Sequence, residues 1–218
     1  YLYHPRFELF LVKVSPSLNE GSINGSRIAT RAKTDYEFRT LFLPEHPYNL
    51  ELYALHREPT GASTFTLAQN SSIYEYGALF NYKDNPYFLS ANYDALTLES
   101  PTVTTDTKSY NAVGSYVGRV LSHSASAGHI DSDSSTQLHV VNDRYSYGNT
   151  LRYSSLSLDS KVNESRSDQQ SPQRPTLDTE EFDWTEQLYL TLPGNLTLNG
   201  YYAYLHQTNR TEADLSGQ

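Results

Sequence analysis

From Phe182 to His206 the chain alternates with a period of two over a length that only a β-strand hairpin can use. The even positions Phe182, Trp184, Glu186, Leu188, Leu190 and Leu192, then Leu196, Leu198, Gly200, Tyr202, Tyr204 and His206, are largely apolar or aromatic. The odd positions include Asp183, Thr185, Gln187, Thr191 and Asn199 and are mostly polar. A period of two sends these sets to opposite faces of a sheet. Pro193-Gly194-Asn195 breaks the pattern with turn formers and predicts a three-residue hairpin loop. Pairing across that loop sets Leu190 against Leu198 and Trp184 against Tyr204, so the apolar face continues over both strands.

Two more hairpins follow the same rule. Tyr74, Tyr76, Ala78, Phe80 and Tyr82 lead into Lys83-Asp84-Asn85-Pro86, and Tyr87, Leu89, Ala91, Tyr93 and Ala95 lead out, with Glu75, Asn81, Ser90, Asn92 and Asp94 on the opposite face. Tyr36, Phe38, Thr40 and Phe42 precede a turn from Pro44 to Asn49, and Leu50, Leu52 and Ala54 follow it. The whole chain reads as eleven strands, at 6–14, 26–43, 49–58, 64–82, 87–99, 107–121, 125–131, 136–141, 144–159, 181–192 and 196–208. Their connections alternate between a long set, 15–25, 59–63, 100–106, 132–135 and 160–180, and a short set, 44–48, 83–86, 122–124, 142–143 and 193–195. Such alternation suits an up-and-down chain with one short-turned end. The segment 160–180, charged and carrying Pro172 and Pro175, is expected to be a mobile outer loop.

The aromatics add a second regularity. Tyr82 and Tyr87 flank a short turn while Tyr74, Tyr76 and Tyr93 stand six to eight residues away, and Trp184, Tyr202 and Tyr204 keep a like distance from Leu192 and Leu196. Eight residues at about 3.3 Å, tilted by about 40°, span roughly 20 Å, close to the ~25 Å apolar band of an outer-membrane barrel. A soluble sheet would place its large rings mid-strand. In these hairpins and this spacing the sequence resembles bacterial outer-membrane β-barrels of the porin-like kind. The resemblance is to an architecture and has no signature motif. Such chains often end on an aromatic strand residue, and bacterial single-chain barrels have even strand counts. Eleven strands and the ending Leu215-Ser216-Gly217-Gln218 therefore predict an incomplete portion of a larger barrel, formed by residues 1–218 as one domain.

Composition removes other classes. With 16 basic and 25 acidic side chains and no basic cluster, nucleic-acid binding has no electrostatic footing. Zero cysteines exclude disulfides, thiolate metal sites and covalent haem attachment in this chain. Nineteen Tyr, eight Phe and one Trp argue against disorder, which is poor in aromatics. The seven histidines, 4, 46, 56, 123, 129, 139 and 206, form no HxxxH or HExxH arrangement and read as solvated or interfacial. Asp131-Ser-Asp133-Ser lacks the Gly and Glu of a calcium loop and reads as an acidic surface loop. No GxSxG elbow or phosphate cradle occurs, so no catalytic residue, metal or cofactor is expected and the chain is read as no enzyme.

The expectation is an all-β, antiparallel, up-and-down transmembrane barrel in the outer membrane of a Gram-negative bacterium. It would act as a channel for small polar solutes, or as a scaffold around a periplasmic or lumenal partner such as a cytochrome. Lumen-facing candidates are Glu75, Asn81, Asn92, Asp94, Asp183, Thr185, Gln187, Thr191 and Asn199, whose acidic excess would favour cations modestly. Candidates for an aromatic girdle against membrane lipid and lipopolysaccharide are Tyr74, Tyr76, Tyr82, Tyr87, Tyr93, Trp184, Tyr202 and Tyr204. The rival from another class is a secreted or surface-attached β-rich binding protein, an adhesin or carbohydrate-binding module with Tyr-rich faces.

Overall fold

The computed structural model describes residues 7–23, 26–58, 60–63, 66–172, 174–193 and 196–212. The first half holds β1 (Glu8–Ile23), β2 (Ser26–Phe42), β3 (Tyr48–Arg57), β4 (Thr60–Ser63), β5 (Thr66–Asn70), β6 (Ser72–Asp84) and β7 (Tyr87–Glu99). The second half holds β8 (Thr104–Val117), β9 (Leu121–Ser134), β10 (His139–Tyr153), β11 (Leu156–Ser171), β12 (Arg174–Leu192) and β13 (Leu196–Glu212). Eleven strands form one antiparallel sheet in the order β1-β2-β3-β6-β7-β8-β9-β10-β11-β12-β13, and β4 and β5 form a small separate hairpin within the connection from β3 to β6. Apart from β3 and β6, which the β4–β5 hairpin separates, every neighbour in the large sheet is a neighbour in sequence. β1 and β13 are its two edges, and among the described residues no pairing joins them. Pro16 is tolerated in β1 because an edge strand has one unpaired side.

Among the described residues the sheet has no second layer. Among the described residues the only buried hydrophobic side chain is Ala95, at 5% exposure, while Trp184 keeps 37%. A sandwich would bury Trp184 and Leu190 between sheets; here both belong to a face that no other described part of the chain covers.

Several boundaries differ from the sequence expectation. Asn142 and Asp143 were expected to turn, yet they lie inside β10, paired to Ile130 and His129 on one side and to Ser167 and Arg166 on the other. Two full ladders outweigh the local turn preference of Asn-Asp. The expected short strands 125–131 and 136–141 are thus parts of β9 and β10, and the turns fall at 118–120 and 154–155. The expected loop 160–180 is instead the far end of the β11–β12 hairpin, paired as far as Ser171↔Arg174. Likewise 15–25 is paired as far as Ile23↔Ser26. The far end of β11–β12 is mostly polar on both faces, so it carries no alternation to betray a strand. The expected three-residue loop cannot be followed whole, since Gly194 and Asn195 lie outside the described residues. The order of connections around the two ends of the sheet nevertheless stays as the sequence implied.

The register fixes how the strands tilt. Tyr87, Tyr116, His123, Asn149, Ser160, Glu186 and Tyr202 form one continuous cross-strand row from β7 to β13. Measured from this row, the turn is about 1.5 residues away at the β6–β7 hairpin and about eight at the β12–β13 hairpin, a stagger of about one residue per strand. With about 3.3 Å rise and about 4.8 Å between strands, turns that lie in one plane require a tilt of about 37°. That lies within the 35–45° of membrane barrels.

Candidate functional site

Register parity places Glu75, Asn81, Asn92, Asp94, Asp183, Thr185, Gln187, Thr191 and Asn199 on one face, the polar face. Their polar groups bond both across and along the strands. Asn81 Nδ2 donates to Asn49 Oδ1 at 3.3 Å and Ser90 Oγ donates to Asn81 Oδ1 at 2.9 Å. Asn92 donates to Asp94 at 2.6 Å, and Asn163 to Asp183 at 2.6 Å. Arg39 joins them from β2, with Nε 2.7 Å from Glu37 and Nη1 3.2 Å from Glu51, and its guanidinium lies 5.9 Å from the Tyr53 ring. Tyr53 can lie across β6 because its partner is Gly77, where a Cβ would come within 2.6 Å of the Tyr53 hydroxyl.

The sheet curls around this face enough to form a cavity of about 470 Å³. Two adjacent rows build most of it: Val117, Ser122, Thr150, Asp159, Gln187 and Tyr201, and beside them Ser115, Ser124, Gly148, Lys161 and Thr185. Gly148 keeps the wall flat, since a Cβ there would meet Ser124 Oγ at 2.9 Å. The surface is rich in hydroxyls and carries both charge signs. Lys33, Arg39, Arg144, Arg152 and Lys161 share the polar face with the acidic candidates. The acidic excess read from the candidates alone is therefore offset, and the expected cation preference loses its basis.

All eight expected girdle residues lie on the opposite, aromatic face. With the tilt applied, most of its rings fall at two heights above the plane of the short turns, with Phe38, Phe80 and Tyr147 between them. Tyr82, Tyr87, Tyr116, His123 and Tyr153 lie at about 4–11 Å, and Tyr76, Tyr93, Tyr110, His129, Tyr145, Trp184, Tyr202 and Tyr204 at about 21–28 Å. Ring contacts run along each level: Tyr76–Tyr93 6.3 Å, Tyr93–Tyr110 4.9 Å and Tyr110–His129 5.9 Å above, Tyr87–Tyr116 5.4 Å and Tyr116–His123 6.5 Å below. Trp184 meets Tyr202 edge to face at 5.5 Å. Tyr74, a little higher, joins His56 at 4.6 Å, and His56 stacks on Tyr36 at 4.9 Å. Ionisable groups such as Lys108, Asp131, Asp143 and Arg166 gather above the upper level, from about 29 Å.

The histidines are better connected than the sequence suggested. His129 Nδ1 is 2.7 Å from Asp143, and His123 Nδ1 is 2.8 Å from the Tyr147 hydroxyl. Asp131 and Asp133, expected in a surface loop, stand in β9 on one face. His139 Nδ1 lies 2.7 Å from Asp133 and 3.5 Å from Asp131. The ligand atoms of these three lie within 4.8 Å of one another, so they are the group among the described residues that could hold a cation. Sequence reasoning missed it because its members come from two strands whose register no local spacing reveals.

The chain is similar to two solved outer-membrane proteins of Vibrio cholerae. One is OmpT with loop L8 deleted, 8% identical with a TM-score of 0.40, over 93% of this chain and 93% of that one. The other is OmpT folded in vitro, 7% identical with a TM-score of 0.34, over 94% of this chain and 96% of that one. No family model and no curated protein matches. At that distance the likeness assigns no activity, solute or partner. The reading of the chain as no enzyme is nevertheless corrected. It rested on missing motifs, and the sheet assembles histidine–carboxylate pairs that no motif search would find. That statement is withdrawn.

Proposed function

We propose that this sheet is most of the wall of an outer-membrane β-barrel whose polar face lines a passage for small polar solutes. One observation carries the reading: the tilt that brings the turns into one plane also gathers most rings of seven strands at two common heights, and the charged side chains of that face, Glu186 apart, lie above the upper belt or near the turn end. The belts lie about 18 Å apart, and rings leaning outward from each reach toward the edges of a ~25 Å apolar band. A soluble protein has no reason to keep two such levels, and a contiguous apolar face of this extent in water would drive association. The mixed charge of the polar face fits weak ion selectivity. An open sheet edge cannot persist in hydrocarbon, so the passage closes only when β1 and β13 find strand partners.

The test is to refold the chain into lipid vesicles and planar bilayers. We expect membrane integration, a folded band on unheated gels, and stepwise conductance with little preference between potassium and chloride. A chain that stays in the aqueous phase as a folded monomer would overturn the proposal.

A further inference from the structure

We propose that the cavity low on the polar face is a binding site for a neutral sugar, a proposal that rests on the passage reading above and names the class of solute the passage holds. Neighbouring rows of that face differ in how their polar groups are satisfied. In the row through Ser126, Ser146, Asn163 and Asp183, just above the cavity's two rows, every polar side chain has a partner: Ser126 and Ser146 share a hydrogen bond of 2.7 Å, and Asn163 donates to Asp183 at 2.6 Å. In the two rows that build the cavity the polar side chains, from Ser122 to Tyr201 and from Ser115 to Thr185, have no hydrogen-bond or ion-pair partner among the described residues. Gly148 leaves the middle of the upper row without a side chain, so these groups surround open space. A volume of about 470 Å³ suits a small molecule.

The same groups choose the class of ligand. Asp159 and Lys161 stand two residues apart on one face of β11, about 7 Å along the strand, and neither is in an ion pair. Their charges cancel over the site, so a simple cation meets Lys161 and a simple anion meets Asp159, whereas a ligand hydroxyl donates to the carboxylate and accepts from the ammonium. Ser122, Ser124 and Thr150 add hydroxyls that rotate to donate or accept, the complement of a ligand that is itself a set of hydroxyls. Tyr201, on β13 and 70% exposed, offers its ring to the C–H face of a sugar while its hydroxyl stays in water. A zwitterion such as an amino acid would use the two charges and leave the ring and the hydroxyls idle. The polar face over β6 and β7 is no such site, because Asn81, Ser90, Asn92 and Asp94 are bonded to one another or to Asn49.

The experiment uses the full chain refolded into planar bilayers, with D-glucose as the probe and potassium chloride current as the readout. We expect glucose to reduce the current along a curve that saturates in the millimolar range, and Tyr201→Ala to raise the half-saturating concentration about tenfold. Tyr201→Phe, which keeps the ring, should stay within about twofold of the parent chain. Gln207→Ala, further up the polar face of the same strand, should leave the curve unchanged. A decrease that never saturates, or one that Tyr201→Ala does not move, in chains that integrate and conduct, would overturn the sugar site and leave the passage standing. Saturation by glycine at concentrations where glucose has no effect would overturn it in favour of a zwitterion site. Failure to integrate would overturn both the site and the passage.

Discussion

The aromatic face of the first strands and that of β8–β11 share one backbone geometry and differ in what they show their surroundings. Between the belts, β1, β2, β3 and β6 present Phe10, Val12, Phe38, Leu50, Leu52 and Phe80, with Phe10 and Phe38 packed edge to face at 4.9 Å. Over the same heights β8–β11 present Ala112, Gly114, Ala125, Ala127, Asn149 and Ser160, with Tyr147 and Leu158 the larger side chains among them. Alternation and pairing set the fold in both regions. What differs is what each offers its surroundings: large hydrocarbon side chains suit lipid tails, while small and polar ones give them little contact. One sheet thus carries two kinds of exterior.

The largest effect that bears on this contrast is a charge placed on the hydrocarbon side. Leu52→Arg, near mid-depth on β3, should cost about 2–4 kcal/mol of folding stability in lipid, whereas Thr191→Arg on the polar face should cost well under 1 kcal/mol. Denaturant titration of both variants in vesicles measures the difference. Equal losses would mean that the faces are assigned the wrong way round.

A smaller effect separates the two exteriors. Phe80→Ala removes most of a large apolar side chain from the lipid side and should lower stability by about 2 kcal/mol. Ala127→Leu adds apolar surface on β9 and should raise the stability of the barrel in lipid by about 1 kcal/mol. A loss from Ala127→Leu as large as that from Phe80→Ala would erase the distinction between the regions.

The same contrast explains which parts of the molecule could be read from sequence. β6, β7, β12 and β13 set large apolar residues against polar ones, so their pairing, faces and turns followed from a period of two. β9 sets Ala and His on one face against Ser and Gly on the other, so side-chain size gives little period, and β10 opens on Val140-Val141-Asn142-Asp143, alike on both faces, so Asn142-Asp143 looked like a turn. The upper ends of β11 and β12 rise beyond the apolar band, where nothing selects for hydrophobicity, and so passed for a loop. The nine polar-face positions were legible because parity within a strand decides a face. The balancing cations Arg144, Arg152 and Lys161 were not, because they stand on the strands whose parity was lost. The His129–Asp143 pair was hidden for a further reason, since its partners are 14 residues apart and only the register of β9 on β10 brings them together.

The smallest expected effect lies on the polar face and tests whether that face touches water. Arg39 bridges Glu37 and Glu51, but its side chain is 49% exposed. In high dielectric such a pair contributes little, so Arg39→Gln should change folding stability by less than about 1 kcal/mol. Its consequence for conduction should be larger than its consequence for folding. Removing the guanidinium leaves two carboxylates facing the passage without their cation, and the local potential becomes more negative. The reversal potential under a potassium chloride gradient should shift toward cation preference, and the shift should shrink as salt rises and screens the site. Arg166→Gln makes the matching control, because Arg166 is paired to Asp178 at 3.5 Å on the aromatic face above the upper belt. If the polar face is the inside, only the Arg39 variant moves the reversal potential; if Arg166→Gln moves it as much, the current does not pass along the polar face.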